Sequence, residues 1–156
     1  MALAIGQSAP DFTLFDSEKK EVTLSSLKGQ PVLLLFFPLA FTNVCTKELC
    51  SVRDNINLYN DVNVKVFGIS VDALQTLAKF KEDQQLNFTL LSDFNKEASR
   101  AYDSIYEMFG FNMKGVSKRS AFLIDKEGII RYSEVLDNAG EVPDFDAIQE
   151  AMASLN

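Results

Sequence analysis

The run "VLLLFF", Val32 to Phe37, constrains the fold more than any other stretch of this chain. Six apolar residues without a polar break do not suit a sheet with one wet face. They read as a central strand covered on both sides, the pattern of parallel or mixed sheets. "VKVFGIS" (64–70) and "FTLLSD" (88–93) read as two more strands of that core. Helical periodicity lies between and after them, in "TKELCSVRDNINLY" (46–59), "DALQTLAKFKEDQ" (72–84) with Asp72 as its expected N-cap, and "KEASRAY" (96–102). Such alternation gives an α/β fold, with helices on both faces of the sheet.

The two ends of the chain complete the pattern. "DFTLF" and "EVTL", joined by the polar turn "DSEKK", read as an N-terminal β extension. "SSLKGQP" reads as one turn of helix ended by Gly29 and Pro31. "RSAFLID" and "GIIRYSEV" flank "KEG" as an antiparallel hairpin, which makes the sheet mixed. "PDFDAIQEAMASL" reads as a closing amphipathic helix with Pro143 near its start. With no repeat, linker or low-complexity tract, one domain is expected over residues 1–156.

In sheets of this kind, functional sites gather where a strand's carboxyl end meets the next helix. "FFPLAFTNVCTKELC" (36–50) is such a junction, and it holds both cysteines of the chain. Its helix should begin near Thr42 or Asn43. Leu49, Val52, Ile56 and Tyr59 then mark a buried stripe, with Cys45 on the same stripe in the first turn. Cys50 falls on the opposite, polar flank with Arg53 and Asn57.

A first-turn cysteine faces backbone N–H groups without helical partners and the positive end of the helix dipole, a setting that suits a thiolate nucleophile. Thr42 can place its hydroxyl against that turn, or serve as a plain N-cap to the Cys45 N–H. Pro38 removes a donor and stiffens the loop. On position alone, Cys45 is equally well a small buried core residue.

Composition removes several chemistries. There is no histidine, so Cys–His pairs, Ser–His–Asp triads and His-ligated metals cannot be built. Two cysteines alone cannot form a four-ligand zinc site, and their spacing is not C-x-x-C. A net charge of −7 argues against nucleic acid and anionic membrane as partners. No apolar run approaches the length of a membrane span, and no secretory signal is visible, so the cytoplasm is the expected location.

"PLAFTNVC" matches the P-x-x-x-T-x-x-C signature of the peroxiredoxins at Pro38, Thr42 and Cys45. The wider stretch "FFPLAFTNVCTKELCSVRD" resembles the AhpE branch of that family, with Glu48, Arg53 and Asp54 matching as well. "IGQSAPDFTL", "VKVFGISVD" and "GVSKRSAFLIDKEGII" resemble further family segments, so the resemblance covers nearly the whole chain. It implies a thioredoxin-like fold and a thiol-dependent peroxidase with no metal or organic cofactor. Cys45 would attack hydrogen peroxide or an organic hydroperoxide and become a sulfenic acid. Arg119 would be the second active-site arginine, Thr42 and the Cys45 N–H would bond the peroxide, and Glu48 would orient an arginine. Without the resemblance, Glu48 is equally a solvated helix residue and Arg119 an exposed charge at a strand edge. Phe36, Phe37 and Phe41 could wall the pocket or belong to the core. Arg53 and Asp54 read as surface or interface charges.

Cys50 departs from the single-cysteine AhpE pattern. A cysteine five residues after the reactive one resembles the bacterioferritin-comigratory (PrxQ) branch, where it resolves the sulfenic acid as an intramolecular disulfide. The Lys/Asp and Pro-Gly lead-in of that branch is missing here. The alternative is a one-cysteine enzyme resolved by an external thiol. No C-terminal cysteine is present to resolve Cys45 across a dimer. The expected reductant is thioredoxin, glutaredoxin or a small thiol, and the AhpE resemblance suggests a homodimer. Two rival readings are a non-catalytic binding or chaperone-like domain on the same fold, and a thiol–disulfide oxidoreductase.

Overall fold

The computed structural model describes residues 3–155. The strands are β1 (Thr13–Asp16), β2 (Glu21–Thr23), β3 (Val32–Phe36), β4 (Lys65–Ser70), β5 (Thr89–Ser92), β6 (Ile105–Tyr106), β7 (Val116–Ser117), β8 (Ser120–Ile124) and β9 (Ile130–Val135). The helices are α1 (Asn43–Asp54), α2 (Ile56–Asn60), α3 (Leu74–Gln84), α4 (Glu97–Ala101) and α5 (Phe145–Ala153), with a 3₁₀ turn over Leu24–Leu27.

Seven strands form one sheet in the order β2-β1-β5-β4-β3-β8-β9. β3, β4 and β5 run parallel, and β8 joins β3 antiparallel with Leu34 opposite Phe122. The sheet is therefore mixed, as the sequence predicts. All five β3 residues are buried, because alternate side chains feed two separate cores. Leu33 and Leu35 pack with Leu49 and Val52 of α1, Tyr59 of α2, Phe80 of α3 and Ile148 of α5. Leu34 and Phe36 pack on the other face with Leu14, Ala98 of α4, and Tyr102. Helices thus cover both faces.

Two local expectations need correction. The helix expected to start near Thr42 or Asn43 does begin at Asn43, but it does not run unbroken to Tyr59: it breaks at Asn55, which separates α1 from α2. The Asn55 amide nitrogen donates to Ser51 O at 2.8 Å, and that side-chain bond competes with the helical ladder. Asp72 does not cap α3; Ala73 holds that position without a side-chain bond. Phe36 is a core residue, one of the two readings open for it: it faces the core opposite Cys45, against Tyr102 and Phe122. The β6–β7 pair was not predicted, because two-residue strands carry no readable periodicity.

Candidate active site

The last rung of β3 is the bond from Phe37 N–H to Ile69 O at 2.9 Å. Beyond it, buried Pro38 turns the chain into a loop that leads to α1. Asp72, just past the end of β4, fixes this loop. Its Oδ2 accepts the Ala40 N–H at 2.8 Å and the Ser70 hydroxyl at 2.6 Å. A carboxylate engaged by these two donors is drawn away from the α3 N-terminus. Phe41 follows at φ 66°, is 49% exposed, and sets its ring edge-on to Phe80 at 5.1 Å. Of the three phenylalanines, Phe37 shares the Cys45 core and Phe41 stands at the open side of the loop.

Thr42 occupies the N-cap position of α1 with extended backbone, and Thr46 N–H bonds its carbonyl. Its hydroxyl does not cap the helix. It donates back to Leu39 O at 2.7 Å. Thr42 therefore braces the loop, and the expectation of a side-chain cap on Cys45 is corrected.

Cys45 is 1% exposed, on the buried stripe with Leu49 and Val52. It is not a plain core residue. Nη2 of Arg119 donates to its sulfur at 3.2 Å. Nη1 of the same guanidinium donates to Glu48 Oε1 at 2.7 Å, and Nε donates to Ala139 O at 3.0 Å. Arg119 is 2% exposed, so it is neither an edge charge nor solvated. It sits between the two-residue β7 and β8, which aims its side chain under α1. The planar fork lets one cation hold a sulfur, a carboxylate and a carbonyl at once.

Glu48 is also buried, one helical turn from Cys45, and is no solvated helix residue. Its Oε2 has no hydrogen-bond partner among the described residues. Burial raises its carboxyl to about 7 against the opposing pull of Arg119, with Glu134 adding to the rise. Arg119 moves the other way in terms of charge. Burial pulls it down, but Glu48 and Cys45 outweigh that, so it stays protonated. Tyr59, buried on α2, is pushed up to about 12 by burial and then by Glu48.

The two cysteines are free and differ in setting. Cys50 is half-buried, and its thiol donates to Gln84 Oε1 at 3.5 Å. Arg53 pairs with Asp54 at 2.9 Å and grips α3 through Gln84 O. Cys45, Glu48 and Arg119 therefore meet in one buried place, while Pro38 lies buried in the preceding loop and Thr42 at the N-cap of α1. Cys50 stands apart. Asp72 and Ala139 were not foreseen as parts of the site. Asp72 had a signal, at the end of a strand beside the loop. Ala139 had none, since it contributes only its carbonyl.

This arrangement holds a sulfur against a fixed cation at the N-terminal turn of a helix, where donors can meet an oxygen that gains charge. Among the described residues, no group of three His, Cys, Asp or Glu side chains could hold a metal ion, and no helix is long and apolar enough to cross a membrane.

A model of the AhpC/TSA family matches residues 5–133. Alkyl hydroperoxide reductase E of Mycobacterium tuberculosis is 37% identical over 156 residues, covering 98% of each chain. A protein named peroxiredoxin bcp, from Coxiella burnetii, is 40% identical over 132 residues, covering 83% of this chain and 87% of that one. The crystal structure of peroxidoxin BcpB from Mycobacterium tuberculosis superposes with a TM-score of 0.86 at 28% identity, covering 99% of both chains.

Proposed function

The chain belongs to the AhpC/TSA family and is a thiol-dependent peroxidase of the peroxiredoxin kind, and we propose that Cys45 is the sulfur that meets the peroxide. The observation that carries this assignment is the buried Arg119 fork, 3.2 Å from Cys45 Sγ and 2.7 Å from Glu48. The substrates are a hydroperoxide and a thiol reductant.

In the first step the Cys45 thiolate attacks the terminal oxygen of ROOH. An S–O bond forms, the O–O bond breaks, and two electrons pass from sulfur to peroxide. Cys45 becomes a sulfenic acid. The departing RO⁻ takes a proton and leaves as an alcohol, or as water when R is hydrogen. Arg119 holds the sulfur in place and stabilises the charge that moves onto oxygen. Glu48 fixes the orientation of the fork. Pro38 and Thr42 shape the loop so that the first turn of α1 faces the oxygen atoms.

Cys50 then resolves the sulfenic acid. Its sulfur displaces hydroxide from Cys45, the S–S bond forms, and hydroxide takes the Cys50 proton to give water. Thioredoxin, glutaredoxin or a small thiol returns the disulfide to two thiols, which suits a reducing compartment such as the cytoplasm. A homodimer fits the relation to the AhpE branch. A second reading has one observation in its favour. Cys50 lies on an intact helix, bonded to Gln84 rather than facing Cys45, which fits a one-cysteine enzyme served by an external thiol.

The deciding experiment is peroxide consumption with dithiothreitol as reductant, comparing wild type with Cys45→Ser and Cys50→Ser. Loss of turnover in Cys45→Ser alone is expected, since dithiothreitol can replace Cys50. Retained turnover in Cys45→Ser would remove Cys45 from its role, and with it the claim of Arg119.

A further inference from the structure

Outside the Cys45–Arg119–Glu48 chain, one more cluster bears on a reactive thiol. The Cys50 thiol donates to Gln84 Oε1 at 3.5 Å, and Gln84 is the last residue of α3. The Gln84 carbonyl, with no helical partner at that position, accepts Arg53 Nη1 at 2.5 Å. Asn87 Nδ2 donates to Arg53 O at 3.2 Å. Three side-chain bonds thus fasten one turn of α1, from Cys50 to Arg53, onto the end of α3 and the chain that follows it.

The first turn of α1 is held differently. No side chain caps it, because the Thr42 hydroxyl turns back to Leu39 O. Asn43, Val44, Cys45 and Thr46 are all poor helix formers. Arg119 bonds this end through Cys45 and Glu48, and one of those bonds is to the very sulfur that the peroxide changes.

The geometry of α1 forbids a direct Cys45–Cys50 bond. Five helical residues separate Cα atoms by about 7.5 Å along the axis and turn them by about 140°, a separation on the order of 8.6 Å. A disulfide tolerates at most about 7 Å, with converging Cβ atoms. One end must travel to the other. We propose that Arg53 and Gln84 are positioning residues for the resolving step: they keep Cys50 docked on α3 while residues 43–49 unwind and carry Cys45 to it. This rests on the reading that Cys50 resolves Cys45. The bond changes are those already given, with Cys50 S–H and Cys45 S–OH yielding the disulfide and water. The clasp leaves one moving partner instead of two, which raises the effective concentration of the thiol at the sulfenic acid.

The test is rapid-quench mass spectrometry of the full chain with one equivalent of hydrogen peroxide. It follows the gain of one oxygen and then its loss as the disulfide forms. Gain of oxygen serves as the internal reference. Arg53→Ala and Gln84→Leu should form the disulfide about fivefold more slowly than wild type, the worth of roughly one hydrogen bond, with oxygen gain unchanged. Arg53→Lys should recover part of the loss, because an ammonium can still reach the Gln84 carbonyl. Amide exchange of oxidised wild type should lose protection over 43–49 and keep it at 51–54, whereas the two clasp variants should lose it in both. Disulfide formation at equal or greater speed in both variants would overturn the proposal, as would loss of protection at 51–54 in oxidised wild type. A lasting oxygen adduct with no disulfide in wild type would overturn the resolving reading itself. The presence of a wild-type disulfide therefore separates the two failures.

Discussion

Arg119 reaches Cys45 across 74 residues of sequence and places Nη2 3.2 Å from its sulfur, at a site where both residues are almost wholly buried. A cation so placed cannot be screened by water. Its partners, Glu48 and the Ala139 carbonyl, leave it one donor group directed at the sulfur.

Arg119→Ala should therefore slow sulfenic acid formation by about 10²-fold, the usual cost of losing one preorganised donor to developing charge. Arg119→Lys should regain only part, since an ammonium cannot span sulfur, carboxylate and carbonyl together. Single-turnover oxidation, read by mass, checks both. A wild-type rate in Arg119→Ala would mean that the guanidinium is structural only.

Glu48 gives the site a pH dependence whose sign can be worked out. Burial, the largest influence, raises its carboxyl from its ordinary 4.5 to about 7. Between those values the folded protein holds a proton that the unfolded chain has lost. The stabilisation is complete below about 4.5 and disappears as pH rises through about 7. Glu48→Gln removes the titration. The stability of wild type, measured by urea unfolding, should therefore fall relative to Glu48→Gln as pH rises through that window. Parallel curves for the two proteins would contradict the shift.

Asp72 is expected to matter although it touches no reacting atom. Its carboxylate fixes Ala40 N–H and the Ser70 hydroxyl, which ties the loop before Cys45 to the end of β4. Asp72→Ala should cost about 1–3 kcal/mol of stability through the donors left behind. It should also slow oxygen gain by about tenfold, because a small displacement of the loop misplaces the first turn. Stopped-flow peroxide reduction alongside thermal unfolding separates the two effects.

What the sequence made legible follows from which interactions are local. "VLLLFF" revealed a strand with two covered faces, because burial on both sides needs apolar residues at every position. The stripe of Cys45, Leu49 and Val52 was legible because helical period is local too. Asn55 broke the expected long helix through a single side-chain bond, which periodicity does not carry. Asp72 looked like a cap because its neighbours in sequence suggested one, while its actual partner, Ala40, lies 32 residues earlier. Nothing local to "SKRSAF" says that Arg119 is buried. Only the family resemblance marked it, and the charge is tolerable there because Glu48 and Cys45 come to it from α1.

The last prediction concerns the weakness of the first turn of α1. If residues 43–49 must unwind before Cys50 can react, the rate of disulfide formation should follow the stability of that turn. Val44 and Thr46 are half-buried, β-branched and flank Cys45, and neither makes a side-chain bond to the site. Alanine at both positions should strengthen the helix by about 1 kcal/mol. Disulfide formation should then slow by about fivefold, while thermal stability of the reduced protein rises. A sulfenic acid that lives longer is exposed to a second peroxide, which carries it to the sulfinic acid. The double variant should therefore inactivate at lower peroxide doses than wild type, with two oxygen atoms gained at Cys45. The same pair of substitutions on a Cys50→Ser background should leave that dose unchanged, because no resolving step remains to be slowed. If the double variant were more stable yet formed its disulfide as fast as wild type, unwinding of the first turn would not be the step that admits Cys50.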